Sequence, residues 1–445
     1  ILTHRSSNRF HLPLHEAIIH ELEENGYKES ISYLKELFEL DEKTRKEAGP
    51  GTLTWKKPRL KDNKDAMTRL KKGLIAFEQA KNAIRNIFRN IVGDSLSMSM
   101  EFLDMALFFR AMTWEWWWIA ERLYRSALVN AKLIENDERR TISLIHYLYG
   151  QFLLEQIQNT TESLYHLNIA REASEGKHWN ASKITGRREE TIFRECNVLL
   201  YKALLMHAQQ VDLNQLDIIV KIYREALARA TDFSTAGHYE YITNTLYELG
   251  KNQLQSGDVK LAFQNFSKFL AMAKRIPDPE GICNAHMALA LAYKLCELND
   301  EINAEKHLHL FRKNAAEFKL MKKLAQAHYC TGEHFLSKRR SDIATPHLEK
   351  SFNLYNELGL YDDANKARIF AGISRGQGII DQYINLILQC GEADSTAMSM
   401  LCQWKNRRSI FWTEKTLRTS KAINKTLIVY LKYCKKNYLN FNLFD

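Results

Sequence analysis

Three pairs of small residues set the tightest limit on what this chain can fold into. Gly250 and Ala262, Ala292 and Ala304, and Gly332 and Ala344 are each twelve residues apart, and the pairs recur every 40–42 residues. Four residues after each second member stands a large apolar residue: Phe266, Leu308 or Leu348. A small residue in a first helix meeting a small residue in a second lets the two backbones approach closely. A bulky side chain one turn on then fills the next groove. The pattern predicts helical hairpins stacked into an all-α solenoid with a right-handed superhelical course.

Proline usage agrees. Only 6 prolines occur, and none lies between Arg59 and Ile276. An interior proline costs a helix about 3 kcal/mol, so the gap favours long helices. Alternating runs of β-branched residues are lacking, which argues against sheet. The period of about 40 exceeds the 34 residues usual for tetratricopeptide repeats and matches armadillo and HEAT arrays. The Gly/Ala register with its bulky follower favours the tetratricopeptide type.

Along the chain, residues 1–63 read as an N-terminal extension. It holds two amphipathic helices, Leu14–Tyr27 and Glu29–Ala48, and a connector over Gly49–Asn63 marked by Pro50, Gly51 and Pro58. Residues 64–390 are assigned to the solenoid, and 391–445 to a capping segment and basic tail. A long helix from Lys64 to about Val92 precedes the first clear second helix, Trp118–Ile134, with Ala120, Tyr124 and Ala127 in signature places. The next hairpin has Gly150 in its first helix and a second helix over about Glu162–Ala173, but its spacing is off by about one residue, which predicts a small insertion. A third unit, Arg187–Ala230, has Tyr223 and Ala226 in place and His207 where a small residue is expected. The turns Ser256-Gly257-Asp258 and Asn299-Asp300 supply a tight reversal and a helix N-cap. A helix around Gly372 closes the array, and Gly376 and Gly378 are expected to weaken it before Ile379–Cys390 caps the last apolar face.

The register also predicts a concave face. Its lining falls at Tyr147, Leu154, Tyr247, Lys251, Leu254, Leu289, Tyr293, Tyr329 and Leu336. Co-chaperone repeats clamp an acidic C-terminus with basic and amide side chains. Here tyrosine and leucine hold those places and only Lys251 is basic, so an apolar helix or extended segment is the better guest. The competing reading is that these tyrosines pack on neighbouring repeats. The cluster Trp114, Trp116, Trp117 and Trp118 has the same two readings, groove filler or exposed anchor, since tryptophan dominates interface hot spots.

Charge is unevenly placed. The chain carries a formal net charge of +10, and Lys405, Arg407, Arg408, Lys415, Arg418, Lys421, Lys425, Lys432, Lys435 and Lys436 face one acid, Glu414, in the tail. A tail of this kind suits an acidic surface such as the tubulin C-termini, against the commoner reading of a solvated charged face. Nucleic acid has no reading fold to go with it. The seven cysteines lack C-x-x-C spacing, which points to reduced thiols and no zinc site. No apolar run approaches the roughly 18 residues of a membrane span. No phosphate loop occurs, Gly372-x-x-x-Gly376-x-Gly378 has no strand before it, and His307 and His309 fall on opposite sides of a helix. No enzyme, cofactor or metal is expected.

Several local stretches carry a family resemblance. They are His15–Tyr27 with Asn25-Gly26-Tyr27-Lys28-Glu29-Ser30, the helix ending Ala131-Lys132-Leu133-Ile134, and the closing segment Asp381-Gln382-Tyr383-Ile384 with Leu401-Cys402-Gln403-Trp404-Lys405. On these the chain resembles the tetratricopeptide repeat protein 29 family over residues 14–408, while the tryptophan cluster and the tail after about Ile410 depart from it. The resemblance implies an axonemal scaffold of motile cilia and sperm flagella, in cytoplasm and cytoskeleton. It would sit at the base of a single-headed inner dynein arm, beside a dynein heavy chain and a MYND-zinc-finger protein. A soluble cytoplasmic adaptor for flagellar assembly or intraflagellar cargo is the alternative.

Overall fold

The small-residue register predicts paired helices, and a computed structural model shows them. It describes residues 12–86, 91–134, 137–186, 190–212, 214–233, 239–295, 300–391 and 395–407, and no strand occurs among them. Of the basic tail, Arg408, Lys415, Arg418, Lys421 and Lys425 lie outside the described residues. For Lys405 and Arg407 only the helical backbone is described. The chain divides into two compact units, Ile1–Asp212 with Lys221–Ser234, and Leu213–Val220 with Thr235–Asp445.

In the first unit, α1 (Leu14–Glu24) and α2 (Lys28–Ala48) pack on α3 (Lys64–Asn86). Their apolar stripe of Leu22, Leu34 and Leu37 enters one continuous core that reaches Ala203. A buried ion cluster clips the 49–63 connector in place. Arg45 donates to the carbonyls of Trp55 (3.0 Å) and Pro58 (2.5 Å), and Asp41 accepts from the Leu60 amide at 3.0 Å. Lys57 completes it, its ammonium 3.9 Å from Asp41 and 5.4 Å from the Trp118 ring. Buried carbonyls and a buried carboxylate thus find partners that a connector cannot supply from its own backbone.

Next come α4 (Ile91–Arg110) and α5 (Trp117–Ala131), then α6 (Arg140–Phe152) and α7 (Thr160–Ser174), with α8 (Ile192–Gln210) against α7. The 3-10 turn Trp114–Trp116 resolves the tryptophan cluster. It rotates successive rings off a single helical face, so that Trp116 is buried, Trp117 and Trp118 pack on the core, and Trp114 is half exposed. The insertion expected in the α6–α7 hairpin is a π turn, Leu153–Ile157. One extra residue is accommodated by i→i+5 bonding, without breaking the helix. Ser163, thirteen residues after Gly150, then donates its hydroxyl to the Gly150 carbonyl at 2.8 Å. Asn159 caps α7 by accepting from the Glu162 amide.

After α9 (Leu216–Phe233), the second unit stacks α10 (Glu240–Gln255) with α11 (Val259–Arg275), α12 (Pro279–Leu295) with α13 (Glu301–Glu317), and α14 (Met321–Ser337) with α15 (Ser341–Glu357). Asp258 and Asp300 cap α11 and α13, accepting from the Leu261 and Asn303 amides. The 31-residue α16 (Tyr361–Gly391) follows, with α17 (Ser395–Arg407) on it. Gly376 and Gly378 were expected to weaken the helix here, yet α16 runs through both. Each glycine costs roughly 1 kcal/mol against alanine but removes no backbone hydrogen bond.

The glycine register behaves differently from the simple small-on-small picture. A Cβ on Gly250 would meet the Phe266 ring at 2.5 Å, and one on Gly332 would meet Leu348 Cγ at 2.5 Å and the Ala344 carbonyl oxygen at 3.1 Å. On Gly150 it would meet Leu167 Cγ at 2.7 Å. The bulky residue therefore sits over the glycine of its own hairpin, and Phe266 and Leu348 also pack on the first helix of the next one, beside Ala288 and Ala371. Ala120, Tyr124, Ala127, Ala262, Ala292, Ala304 and Ala344 are all buried.

One pairing needs correction. Ala292 does not face Ala304 across its own hairpin; it belongs to a cluster with Ala262, Phe266 and Ala288 at the α11–α12 contact. The histidines fix the facing position instead: His286 and His328 make equivalent pairs, and four residues after them stand Ala290 and Gly332.

Candidate protein-docking surface

In the second unit, the first helices of successive hairpins touch side by side, α10 to α12, α12 to α14 and α14 to α16. Such a row is what a stack of hairpins offers to a partner: one long face whose side chains come from several repeats. The structure sorts the expected lining residues into two groups. Tyr247, Lys251, Tyr293, Tyr329 and Leu336 keep partial exposure. Tyr147, Leu154, Leu254 and Leu289 are buried and cannot line an open face as they stand. The reason is width. An interior helix is flanked by neighbours on both sides, so only a narrow stripe stays open, and a residue one position round the helix is covered.

Even the open tyrosines are anchored by packing. Tyr247 lies 5.2 Å from the Phe269 ring, with the Lys251 ammonium 5.4 Å from its own ring. Tyr293 meets Phe263 of α11 edge-on at 5.0 Å and His307 of α13 near-parallel at 5.5 Å. Tyr329 meets Phe370 of α16 at 5.6 Å. Burial pushes the Tyr247 and Tyr329 phenols well above their ordinary range, with nearby carboxylates adding to it. The Tyr293 and Tyr329 rings thus pack between neighbouring repeats and the Tyr247 ring within its own hairpin, while each stays partly exposed. Lys251 is held 3.2 Å from Glu248, and Lys323 of α14 lies 2.8 Å from the Asn284 side-chain oxygen of α12.

The first unit has a separate concavity that the sequence pattern did not expose. A groove of about 440 Å³ lies between α2, α3, α4 and α5, floored by Tyr33, Phe77 and Phe102. Tyr33 stacks edge-on against Phe102 at 5.6 Å, and its hydroxyl lies 3.0 Å from Ser126 Oγ. Burial pushes that phenol up to about 12. Glu36 and Arg122 pair across the rim.

A second feature missed at the level of sequence is a set of histidine pairs, one in each of three hairpins. His146 Nδ1 lies 2.7 Å from His166 Nδ1, His286 Nδ1 2.9 Å from His307 Nδ1, and His328 Nδ1 2.8 Å from His347 Nδ1. Ring centroids are 4.9–5.1 Å apart in all three. The signal was present: each second-helix histidine immediately precedes the bulky residue, Leu167, Leu308 or Leu348. Each first-helix histidine stands four residues before Gly150, Ala290 or Gly332. Unequal loops hid the period. The α10–α11 hairpin closes differently, with the Asn265 amide nitrogen donating to the Gln253 amide oxygen at 2.7 Å.

Among the described residues no helix is long and apolar enough to cross a membrane, and no group of three or more His, Cys, Asp or Glu could hold a metal ion.

No protein-family model matches the chain, and no curated protein matches its sequence. Solved helical structures do show likeness. The apo form of RapI is 13% identical with a TM-score of 0.38, over 77% of this chain and 92% of that one. A signal-transduction ATPase with a tetratricopeptide repeat sensor from Pyrococcus horikoshii is 14% identical with a TM-score of 0.37, over 74% and 50%. BtubC from P. vanneervenii is 16% identical with a TM-score of 0.29, over 56% and 90%. At these values the assignment of a tetratricopeptide-type, all-α helical-repeat protein stands on the hairpins described above.

Proposed function

We propose that this chain is a non-catalytic scaffold that docks inner dynein arm subunits in motile cilia or sperm flagella, supporting flagellar assembly and beating. The observation that carries the docking role is the side-by-side row of α10, α12, α14 and α16, with Tyr247, Lys251, Tyr293 and Tyr329 partly exposed along it. Rigid aromatic edges beside a lysine suit an amphipathic helix or extended segment, which contributes apolar contacts and an acidic group at little entropic cost. The axonemal setting is supported by the resemblance of residues 14–408 to the tetratricopeptide repeat protein 29 family. A dynein heavy chain of a single-headed inner arm and a MYND-zinc-finger protein are the partners this reading names, and tubulin is a further acidic contact for the 405–436 segment. The second reading, a soluble cytoplasmic adaptor for flagellar assembly or intraflagellar cargo, uses the same face.

Stepwise salt extraction of axonemes separates the two. A scaffold stays with the doublets or leaves with dynein, whereas an adaptor is recovered in the soluble pool before extraction. Crosslinking mass spectrometry on purified flagella tests the face itself. Crosslinks from Lys251 and Lys323 to a partner support it; crosslinks confined to the second helices α11, α13 and α15 remove it.

A further inference from the structure

We infer that the His146–His166, His286–His307 and His328–His347 pairs are proton-sensitive latches, which open their hairpins on acidification while the amide-closed α10–α11 hairpin stays shut. Two imidazoles joined Nδ1 to Nδ1 need one ring to donate and the other to accept, so a pair holds one shared proton. Protonating the accepting nitrogen turns that ring into a cation whose N–H faces the neutral donor's N–H, which removes the bond; protonating the donor ring as well, at Nε2, places two cations in contact.

The third pair fixes its own direction. Arg312 Nη1 lies 3.2 Å from His347 Nε2, and a guanidinium can only donate. His347 Nε2 therefore accepts, its proton sits on Nδ1, and His328 Nδ1 accepts that proton's bond. Protonating His347 would set an N–H against Arg312.

The surroundings raise the cost of protonation at every pair. The charged groups acting on His146 and His166 are Lys132 and Arg139, at the end of α5 and the start of α6, and Arg125 within α5. Lys274 of α11 and Lys306 of α13 act on His286 and His307. Lys350 of α15 and Arg312 of α13 act on His328 and His347. Among the described residues no carboxylate acts on any of the six rings. Burial first, and these cations and the partner rings second, hold His146 and His328 down to about 3 and His166 and His286 to about 4. His307 and His347 are lowered in the same way.

The sign follows from linkage. Above the ordinary imidazole value, about 6.5, neither the closed nor the opened hairpin binds a proton on these rings, and closure is undiminished. Below it the opened hairpin takes up protons that the closed one refuses, so closure weakens as pH falls towards the folded values. Two imidazoles per hairpin give a rise in opening of up to about a hundredfold between pH 7.5 and 5.5. Gln253 and Asn265 do not titrate, and their hairpin is the internal control.

Hydrogen exchange of the full chain, read by mass spectrometry at pH 7.5 and 5.5 and corrected for intrinsic rates, tests this. Peptides from α6–α7 and α12–α13 are expected to lose up to about a hundredfold in protection and those from α14–α15, which also hold buried His334, up to about a thousandfold, with α10–α11 unchanged. The variant H328Q/H347N replaces the titrating pair in α14–α15 by two amides, which do not titrate. His334, buried in α14 near Glu305, Lys294 and Lys338, is retained, so the remaining loss there should be at most about tenfold, that of one imidazole. Unaltered protection of α10–α11 in the variant at pH 7.5 certifies its fold. Should it not fold, α12–α13 against α10–α11 in the parent chain decides alone. Equal acid loss in all four hairpins, or no loss in any, overturns the inference, as does an undiminished loss in α14–α15 of the folded variant.

Discussion

The α10–α11 and α14–α15 hairpins are built on the same frame and closed by different chemistry. Both have three-residue connections, and both set a glycine beneath a bulky side chain, Phe266 over Gly250 and Leu348 over Gly332. The polar residue just before the bulky one is Asn265 in the first and His347 in the second. Asn265 reaches towards the loop to Gln253; His347 reaches the other way, to His328. The frame thus fixes where a second-helix polar group must be satisfied but not by what. Any partner within reach on the first helix will serve, and the choice decides whether the hairpin is blind to protons or responsive to them.

The comparison breaks most severely at its shared element. Gly250→Leu and Gly332→Leu should each destabilise by about 1–3 kcal/mol through overpacking. Gly332 should be the worse of the two, because a Cβ there also meets the Ala344 backbone oxygen, whereas at Gly250 all the nearest atoms belong to the Phe266 ring. Urea midpoints of the two variants read the difference; equal, unshifted midpoints would show that the glycines are not set by close approach.

Next in size is truncation of the amide closure. Asn265→Ala leaves the buried Gln253 amide without its donor, at a cost of about 1–3 kcal/mol. The double variant Gln253→Leu/Asn265→Leu should recover part of that, since removing both partners strands neither. A double-mutant cycle on thermal unfolding measures the coupling, and additivity would mean the two amides act separately.

The smallest effect is expected at the surface. Glu349 and Arg375 pair across α15 and α16 with both side chains exposed. Glu349→Gln should cost no more than about 0.2–1 kcal/mol, and less in high salt. A larger, salt-insensitive loss would mean that this pair, and not the buried packing of Leu348 with Ala371, holds α16 to its neighbour.

Much of this was legible beforehand, and the failures share one origin. Gly250, Gly332 and their bulky followers could be read because equal three-residue loops preserve the spacing between helices. Ala292 was misplaced because the paired histidines of α12 and α13 stand two residues further apart in sequence than those of α14 and α15. The Gly150 hairpin was off by one because a π turn took up a residue directly after α6. The histidine pairs escaped for the same reason, being 20, 21 and 19 residues apart and so sharing no single period. Tyr147 and Leu289 were expected on an open face because periodicity gives the direction of a side chain and not the width of the stripe its neighbours leave uncovered.

What the sequence determined by itself is local. Helix positions, the close-approach glycines and the capping aspartates follow from backbone propensity and the 3.6-residue repeat, both set by residues a few positions apart. Only the tertiary structure decided which small residue faces which, which tyrosine edge remains open, and which histidine meets another. Those outcomes depend on how hairpins of unequal loop length slide into register when their cores pack.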